Sequence, residues 1–415
     1  MSDRIIVIGG GAAGLMAAGQ AAEAGGNVLL IEKTKLLGNK LRLTGKGHGN
    51  LTNACEVRTF FGHLGPNGPF LRNALARFSS QDTIAFFEAH GVATTTRPDG
   101  RVLPASNNAH DLVKCLRTYC LEHNVQFRYG APVTGVAAEG KHVQGVMADG
   151  KTISAGAIIL ATGGLSYPQT GSTGDGYRIG QALGHTIAPL GPGLVPLVIE
   201  ERFILQLQGL SLSDVRATFY GGERMLGSER GEMICTHFGV SGPLILSMSS
   251  RLSAHLKACP LRLSLDLVPD IDADALDQQF QERLASLGKA SYHSIMQQWL
   301  PRSMIDVFAT RASVPPQQGA NQITAVQRRR TRDLLKSFDL TVTGTRPIEE
   351  AMITLGGISC DEIVPQTMAS RLMDGLYFAG EIIDVAGDTG GYNLQIAFTT
   401  GHIAGESAAR ALANS

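Results

Sequence analysis

The sequence predicts an α/β protein built around a Rossmann-like dinucleotide-binding domain, and three strand endings predict it. Ile5-Ile6-Val7-Ile8 runs straight into Gly9-Gly10-Gly11-Ala12-Ala13-Gly14, an Ala-rich helix follows, and a second strand, Val28-Leu29-Leu30-Ile31, ends in Glu32. Near the middle, Ala157-Ile158-Ile159-Leu160-Ala161 ends in Thr162-Gly163-Gly164, and near the end Leu376-Tyr377-Phe378-Ala379 ends in Gly380-Glu381. The first is the complete strand, Gly-x-Gly-x-x-Gly, helix, strand and acid that a dinucleotide requires.

Each part of that unit has a physical role. Gly9 permits the tight turn, Gly11 lets the backbone approach a pyrophosphate, and Gly14 lets the helix pack closely on the strand. The helix start at Ala12 and Ala13 offers unpaired N–H groups to the anion. Glu32 is placed to accept hydrogen bonds from a ribose diol. No second unit of this kind occurs, because Gly191-Pro192-Gly193 is followed by Leu-Val-Pro, which breaks a helix start. Three separated glycine-rich segments, 9–14, 161–164 and 380–391, suit an extended ligand with a pyrophosphate, a sugar alcohol and a tricyclic ring, which is FAD.

The remaining elements follow in order. Segment 36–53 is too rich in glycine for a helix or a central strand. Apolar spacing predicts helical residues near 70–90 and over 109–123, with a helix start at Ser79-Ser80-Gln81-Asp82. From Val125 to Ala161 the period falls to two. Phe127, Val133, Val136, Val143, Val146 and Ile153 mark short strands of a small antiparallel sheet, turning at 139–141 and 149–151. The composition shifts near 189–193, and an insertion is expected over 190–355, between cofactor-domain parts at 1–189 and 356–415. Inside it, strand patterns lie at 212–220, 232–236 and 261–267, and helical patterns at about 273–287, 292–308 and 323–337.

Composition narrows the function. Lys plus Arg equals Asp plus Glu at 36 each, so no global field draws the chain to nucleic acid or an anionic membrane. No apolar run approaches the roughly 18 residues of a spanning helix, and the first strand begins too early for a signal peptide. The six cysteines make no Cys-x-x-Cys, so no metal site is expected, and a cytoplasmic protein with mostly buried thiols is the plain reading.

Several further segments carry a resemblance. Thr44–Asn53 written out is Thr44-Gly45-Lys46-Gly47-His48-Gly49-Asn50-Leu51-Thr52-Asn53; with it go Ala161-Thr162-Gly163-Gly164-Leu165-Ser166, Thr236-His237-Phe238-Gly239-Val240-Ser241-Gly242-Pro243, Leu340-Thr341-Val342-Thr343-Gly344-Thr345-Arg346, Gly356-Gly357-Ile358 and Gly390-Gly391-Tyr392-Asn393-Leu394-Gln395. Together with 9–14 they resemble the HI0933-like (BaiN/YhiN-type) flavoproteins, within the fumarate reductase and succinate dehydrogenase flavoprotein superfamily, over nearly the whole chain. The resemblance implies a Rossmann-like FAD domain with an inserted small β-barrel and a helical unit at about 270–337. It implies non-covalent FAD held at Gly9, Gly11, Ala12, Ala13, Gly14, Glu32 and Lys33, then at Lys40, Thr44, Gly45, Asn50 and Val133. Ala161, Thr162, Gly163, Asp175, Gly380 and Glu381 complete the middle of the site, and Gly391, Asn393, Leu394 and Gln395 its end. Family members read Arg-Cys where this chain has His48-Gly49, so chemistry relying on that guanidinium or thiol is not carried over.

Individual residues admit a plainer reading beside the functional one. Glu381 either hydrogen-bonds the ribityl chain or is a surface acid. The helix opening at 390–395 either stabilises charge at flavin N1 and O2 or merely follows a glycine turn. Asp175 is either a cofactor residue or the N-cap of a helix at 177–183. Ser241-Gly242-Pro243 reads first as a helix start, with His237 functional if the insertion folds back over the flavin. Arg328-Arg329-Arg330 reads as a solvated helix face with Asp333 within reach of Arg329. His48 is the catalytic candidate, an imidazole able to exchange a substrate proton, or else a structural donor in the loop.

The expected function is hydride transfer between flavin N5 and a small organic substrate beneath the inserted domain, with NAD(P)H as a candidate reductant. A thiol–disulfide reductase would want a cysteine where Gly49 stands. A flavin-bearing RNA-binding or tRNA-modifying protein, or a non-catalytic flavoprotein, is the alternative. No nucleic-acid or membrane partner is expected, and the sequence leaves the oligomeric state open.

Overall fold

The computed structural model describes residues 2–256, 258–288 and 290–414. The chain divides into two compact units, Met1–Pro192 with Ile348–Ser415, and Gly193–Pro347. The inserted unit begins three residues later and ends eight residues earlier than the 190–355 expected. The strand Ile187–Gly193 lies beside Ile353–Ile358 in a two-stranded sheet, which keeps Ile353–Ile358 and all of the first strand up to Pro192 with the first unit.

The first unit is organised by a five-stranded sheet in the order Leu376–Phe378, Ala157–Leu160, Arg4–Ile8, Asn27–Glu32, Gln126–Tyr129. Every pair is parallel, with Ile5 beside both Ala157 and Val28. Apart from Gln126–Tyr129 at one edge, the strands read as largely apolar runs because both faces are covered. Ile5, Ile6, Val7, Ile158, Ile159 and Leu160 are all fully buried. Chain order reverses between Arg4–Ile8 and Ala157–Leu160, and in an open parallel sheet a ligand crevice lies outside the strand ends at that point.

The first helix, Ala12–Glu23, and the last, Tyr392–Ala413, pack closely because small residues face each other. A Cβ on Gly401 would stand 2.4 Å from Ala13 O, and one on Gly405 2.3 Å from Ala17 O. The helix Ser80–Ala89 begins as expected, with Ser79 and Asp82 forming a reciprocal capping box. The period-two segment gives a three-stranded antiparallel sheet of Val133–Glu139, His142–Ala148 and Lys151–Ser154. Phe127 departs from that expectation, since Gln126–Tyr129 pairs in parallel with Asn27–Glu32 as an edge of the main sheet.

The second unit is a closed six-stranded barrel in the order Leu197–Ile199, Gly239–Ser241, Arg224–Cys235, Ser211–Gly221, Leu261–Asp266, Phe338–Thr345, with its own apolar core. Helices lie between its last two strands. Ala273–Leu287 matches the pattern, and Ala325–Lys336 falls within 323–337. The single helix expected over 292–308 is two, Tyr292–Met296 and Ile305–Ala312, because Pro301 between them cannot continue a helix.

Candidate cofactor and active site

The turn after the first strand explains its glycines. Gly9 has φ +107°, and a Cβ there would lie 2.5 Å from Ala161 O. A Cβ on Gly14 would lie 1.8 Å from Gly9 O, so the helix, strand and neighbouring strand end meet backbone to backbone. Gly11 faces no atom within 4 Å, and no side chain caps the helix that starts beside it. The helix N-terminus at Ala12 and Ala13 is thus open, with the uncapped N–H groups that attract a pyrophosphate.

Glu32, at the end of its strand, has both carboxylate oxygens held. Oε2 accepts from Gly10 N at 2.7 Å and Oε1 from Thr34 N at 2.7 Å. A carboxylate has about four lone-pair positions, so two donors orient it without saturating it. Val133 is buried and enters the antiparallel sheet opposite Ala148, leaving only its backbone for a ligand.

Thr162 follows the strand Ala157–Leu160, and its Oγ1 is buried without a hydrogen-bond partner. A buried hydroxyl left unpaired costs about 1–3 kcal/mol, and a sugar alcohol or phosphate at this strand end removes that cost. Gly163 stands at φ +72°, and a Cβ on Gly164 would meet Thr354 Oγ1 at 2.2 Å. An open glycine, an oriented carboxylate and an orphaned hydroxyl at neighbouring strand ends fit an extended dinucleotide.

Four expected cofactor residues pair with each other. Lys33 Nζ donates to Asp175 Oδ2 and Thr173 Oγ1, both at 2.5 Å. Lys40 Nζ donates to Glu381 Oε2 and Ser166 Oγ, both at 2.6 Å. Glu381 Oε1 also accepts from Thr354 N at 2.8 Å and Ser166 Oγ at 3.1 Å. Glu381 is therefore a clamp joining residues 40, 166 and 354, and neither a surface acid nor a free acceptor. Asp175 is the first residue of the helix Asp175–Ala182, not its N-cap, which is Gly174 at φ +77°. Burial pushes the Asp175 carboxyl up, but Lys33, Thr173 and Arg178 together hold it below its ordinary value.

Segment Leu41–Gly47 coils irregularly, with Gly45 at φ +58° and Lys46 at φ +57°. Thr44 Oγ1 donates to Leu41 O at 2.7 Å. With its amide turned to suit both neighbours, Asn50 donates to Thr52 O at 3.2 Å and accepts from Gly391 N at 3.0 Å. His48 is exposed at the end of this coil, its Nδ1 3.3 Å from Asn107 O. Gly49 is buried at φ +78°, where a Cβ would lie 2.9 Å from Ala109 Cα.

At the last helix the expectations need correction. The Gly391 N–H is taken by Asn50, so the first-turn N–H groups of Tyr392, Asn393 and Leu394 are the ones a helix leaves for a ligand. The Asn393 side chain braces the preceding loop, accepting from Gly387 N at 2.9 Å and donating to Gly387 O at 2.8 Å. Gln395 is fully buried, accepting from Thr52 Oγ1 at 2.6 Å and donating to Thr399 Oγ1 at 2.9 Å. Leu394 packs on the apolar core. Gly380, at φ +79°, sits against the Ala13 methyl, and its N–H donates to Thr400 Oγ1 at 2.9 Å.

The remaining expectations fall within the second unit. Pro243 opens the helix Pro243–Leu256, and His237 packs edge-on to Phe238 at 4.9 Å within the second unit. Asp333 pairs with Arg332, not with Arg329, while Arg328 pairs with Asp277 at 3.0 Å. Sequence reasoning passed over Ser166 and Thr354, which bind Glu381. Ser166 lies 215 residues from that partner and Thr354 lies 27, too far for a local pattern to mark either.

Fold and crevice define a Rossmann-type dinucleotide-binding protein, and its relatives make the class that of the FAD-dependent oxidoreductases. The profile of the HI0933-like protein Rossmann domain matches residues 3–407. The chain belongs to that family. It is 30% identical over 410 residues to a 3-dehydro-bile acid Δ(4,6)-reductase of Clostridium scindens, covering 98% of this chain and 99% of the relative. It is 31% identical over 397 residues to a ribosomal RNA dihydrouridine synthase of Escherichia coli, covering 95% of each. Among solved structures it superposes on a 3-ketosteroid Δ1-dehydrogenase from Sterolibacterium denitrificans with a TM-score of 0.53 at 14% identity, over 99% of this chain and 100% of the other. No helix among the described residues is long and apolar enough to cross a membrane.

Proposed function

We propose that the protein saturates a carbon–carbon double bond conjugated to a carbonyl, with NAD(P)H as the reductant of its FAD. The observation that carries this reading is chemical. Two relatives of 30% and 31% identity bear different names, yet both names describe reduction of such a bond, beside a 3-oxo group or in a uracil ring. FAD, when bound, supplies the hydride. The chain's residues hold and orient: the N–H groups at 11–14 take the pyrophosphate, Glu32 the ribose diol, and Thr162 a cofactor hydroxyl. Lys40 and Glu381 fix the strand ends against each other, and the first turn of the last helix favours negative charge on the reduced ring. Lys33 with Asp175 steadies the far side of the crevice. We assign His48 to the loop's architecture, through its bond to Asn107, and not to proton transfer.

Our reading places the enzyme in the cytosol and gives it a small-molecule substrate. The test is anaerobic reduction of the purified yellow protein by NADH and NADPH, then reoxidation by a panel of enones, amines and quinones. Reoxidation by enones with formation of the saturated ketone supports the reading, and preference for amines or quinones overturns it. A second reading keeps the bond and changes its carrier to a uracil base in RNA, as the name of the Escherichia coli relative suggests. The equal numbers of acidic and basic side chains weigh against it. A salt-sensitive gel shift with ribosomal RNA decides between the two.

A further inference from the structure

The barrel unit carries a cavity of about 420 Å³ lined by Glu201, Arg262, Arg311, Asp339 and Thr341. Leu261, Leu263, Leu340 and Val342 are buried in the barrel core, so the residues alternating with them, Arg262, Asp339 and Thr341, point outward. Arg262 stands opposite Thr341 across its two strands. Its guanidinium lies 4.0 Å over the Tyr220 ring, and Nη1 donates to Asp339 Oδ2 at 3.3 Å. Arg311, in the last turn of the helix Ile305–Ala312, lies over two rings, Phe203 at 5.0 Å and Phe338 at 4.7 Å. Ligand pockets run from about 300 to 1,000 Å³, so this one has room for a small molecule.

The acids of this cavity are engaged and one of its cations is not. Both Glu201 oxygens accept from Thr341 N at 3.0 Å, and Asp339 Oδ1 accepts from Ser337 Oγ at 3.0 Å. Arg311 is half-buried, yet none of its N–H groups meets an acceptor among the described residues. On the helix Ala325–Lys336 of the same unit, Arg328, Arg332 and Lys336 each hold a carboxylate, at 3.0, 2.6 and 2.6 Å. The rings that flank Arg311 attract its charge but take no hydrogen bond in the guanidinium plane. They hold the fork flat and leave its edge unfilled.

We propose that this cavity binds a small hydroxylated anion, a sugar phosphate or a hydroxycarboxylate, whose charged group is taken by Arg311 with Arg262. A guanidinium presents paired N–H donors that match two oxygens of a phosphate or a carboxylate, and a ring-backed guanidinium is already oriented for them. The carboxylates of Glu201 and Asp339 keep lone pairs beyond the bonds they make, and these accept from the ligand's hydroxyl groups. The same two carboxylates repel a bare anion, so the hydroxyl groups set the ligand apart from inorganic phosphate. The site lies wholly in the barrel unit and does not depend on the double-bond reading.

Two measurements on the FAD-loaded, full-length protein test the site. In the first, ribose 5-phosphate, citrate and inorganic phosphate are titrated calorimetrically at low ionic strength. Ribose 5-phosphate or citrate should bind, the tighter of the two naming the charged group, and inorganic phosphate should bind about tenfold more weakly or not at all. Arg311→Met should weaken the tighter probe about 10- to 100-fold, the loss of one charge-assisted hydrogen bond. Arg311→Lys, which keeps the charge but not the fork, should recover only part of that loss. Failure of both ribose 5-phosphate and citrate to bind, or equal binding by Arg311→Met, overturns the proposal. The second measurement needs no variant. Phenylglyoxal modification of wild type is followed by peptide mass spectrometry, and the tighter probe should slow it at Arg311 but not at exposed Arg329. Equal rates at Arg311 with and without that probe overturn the site.

Discussion

At the scale of single residues, the crevice is built from backbone that cannot accept a side chain and from polar atoms that lack a partner. Thr162 is the clearest case, because its Oγ1 is buried and unpaired. Thr162→Val should lower FAD affinity about 5- to 10-fold, from one neutral hydrogen bond of about 1–1.5 kcal/mol. The apoprotein should lose nothing in Tm, since an orphaned hydroxyl has been replaced by a methyl of the same shape. FAD titration and apoprotein melting together check this, and a destabilised apoprotein would contradict it. Gly49 gives the opposite lesson. A cysteine at this position would place a Cβ 2.9 Å from Ala109 Cα at φ +78°. Gly49→Cys should therefore cost about 2 kcal/mol or more, combining a left-handed backbone with overpacking. Urea melts measure it, and a neutral result would show that the loop moves freely off the helix Ala109–Glu122.

At the scale of elements, the last helix does two jobs. It packs on the first helix through Gly401 and Gly405, and in our proposal its first turn serves the flavin. Gly401→Val should push it from Ala13 O and release FAD during gel filtration, whereas a substitution at exposed Arg410 should not. The same helix carries His402, stacked on Phe78 at 4.2 Å with Nδ1 buried and unpartnered. Burial holds His402 and His185 below the ordinary histidine value, although Glu362 pulls His185 partly back up. Both are neutral in the fold, while unfolded histidines bind a proton near pH 6.5. Their contribution is complete above that value and is lost as pH falls below it. The Tm should drop between pH 7.5 and 5.5, and His402→Phe should flatten that drop. A variant with an unchanged slope would remove His402 from the account.

At the scale of the whole molecule, the two units have separate cores and the proposed cofactor residues all lie in one of them. Calorimetry should show FAD raising one transition and not the other, by about 2.7 kcal/mol at 100 times Kd. Removal of residues 376–415 takes away the edge strand Leu376–Phe378 and the last helix. That truncation should bind no FAD even though the first glycine motif is intact. The first helix, the parallel strands and the glycine turns were legible in the sequence because each rests on neighbours within a few residues. Unbroken apolar runs, a capping box at Ser79 and glycines at strand ends are local signals. Pro301 is a local signal as well, and it divides the apolar spacing of 292–308 between two helices. By itself, then, the sequence determined the Rossmann-type sheet and the dinucleotide turn that Gly9, Gly11 and Gly14 allow. Only the tertiary structure decided that Lys33 meets Asp175, that Lys40 and Glu381 clamp each other, that Gln395 and Asn393 turn inward, and that Tyr392 stacks on His63. Those partners are set by how parallel strand ends and distant loops converge, and convergence over hundreds of residues leaves no periodicity in the chain.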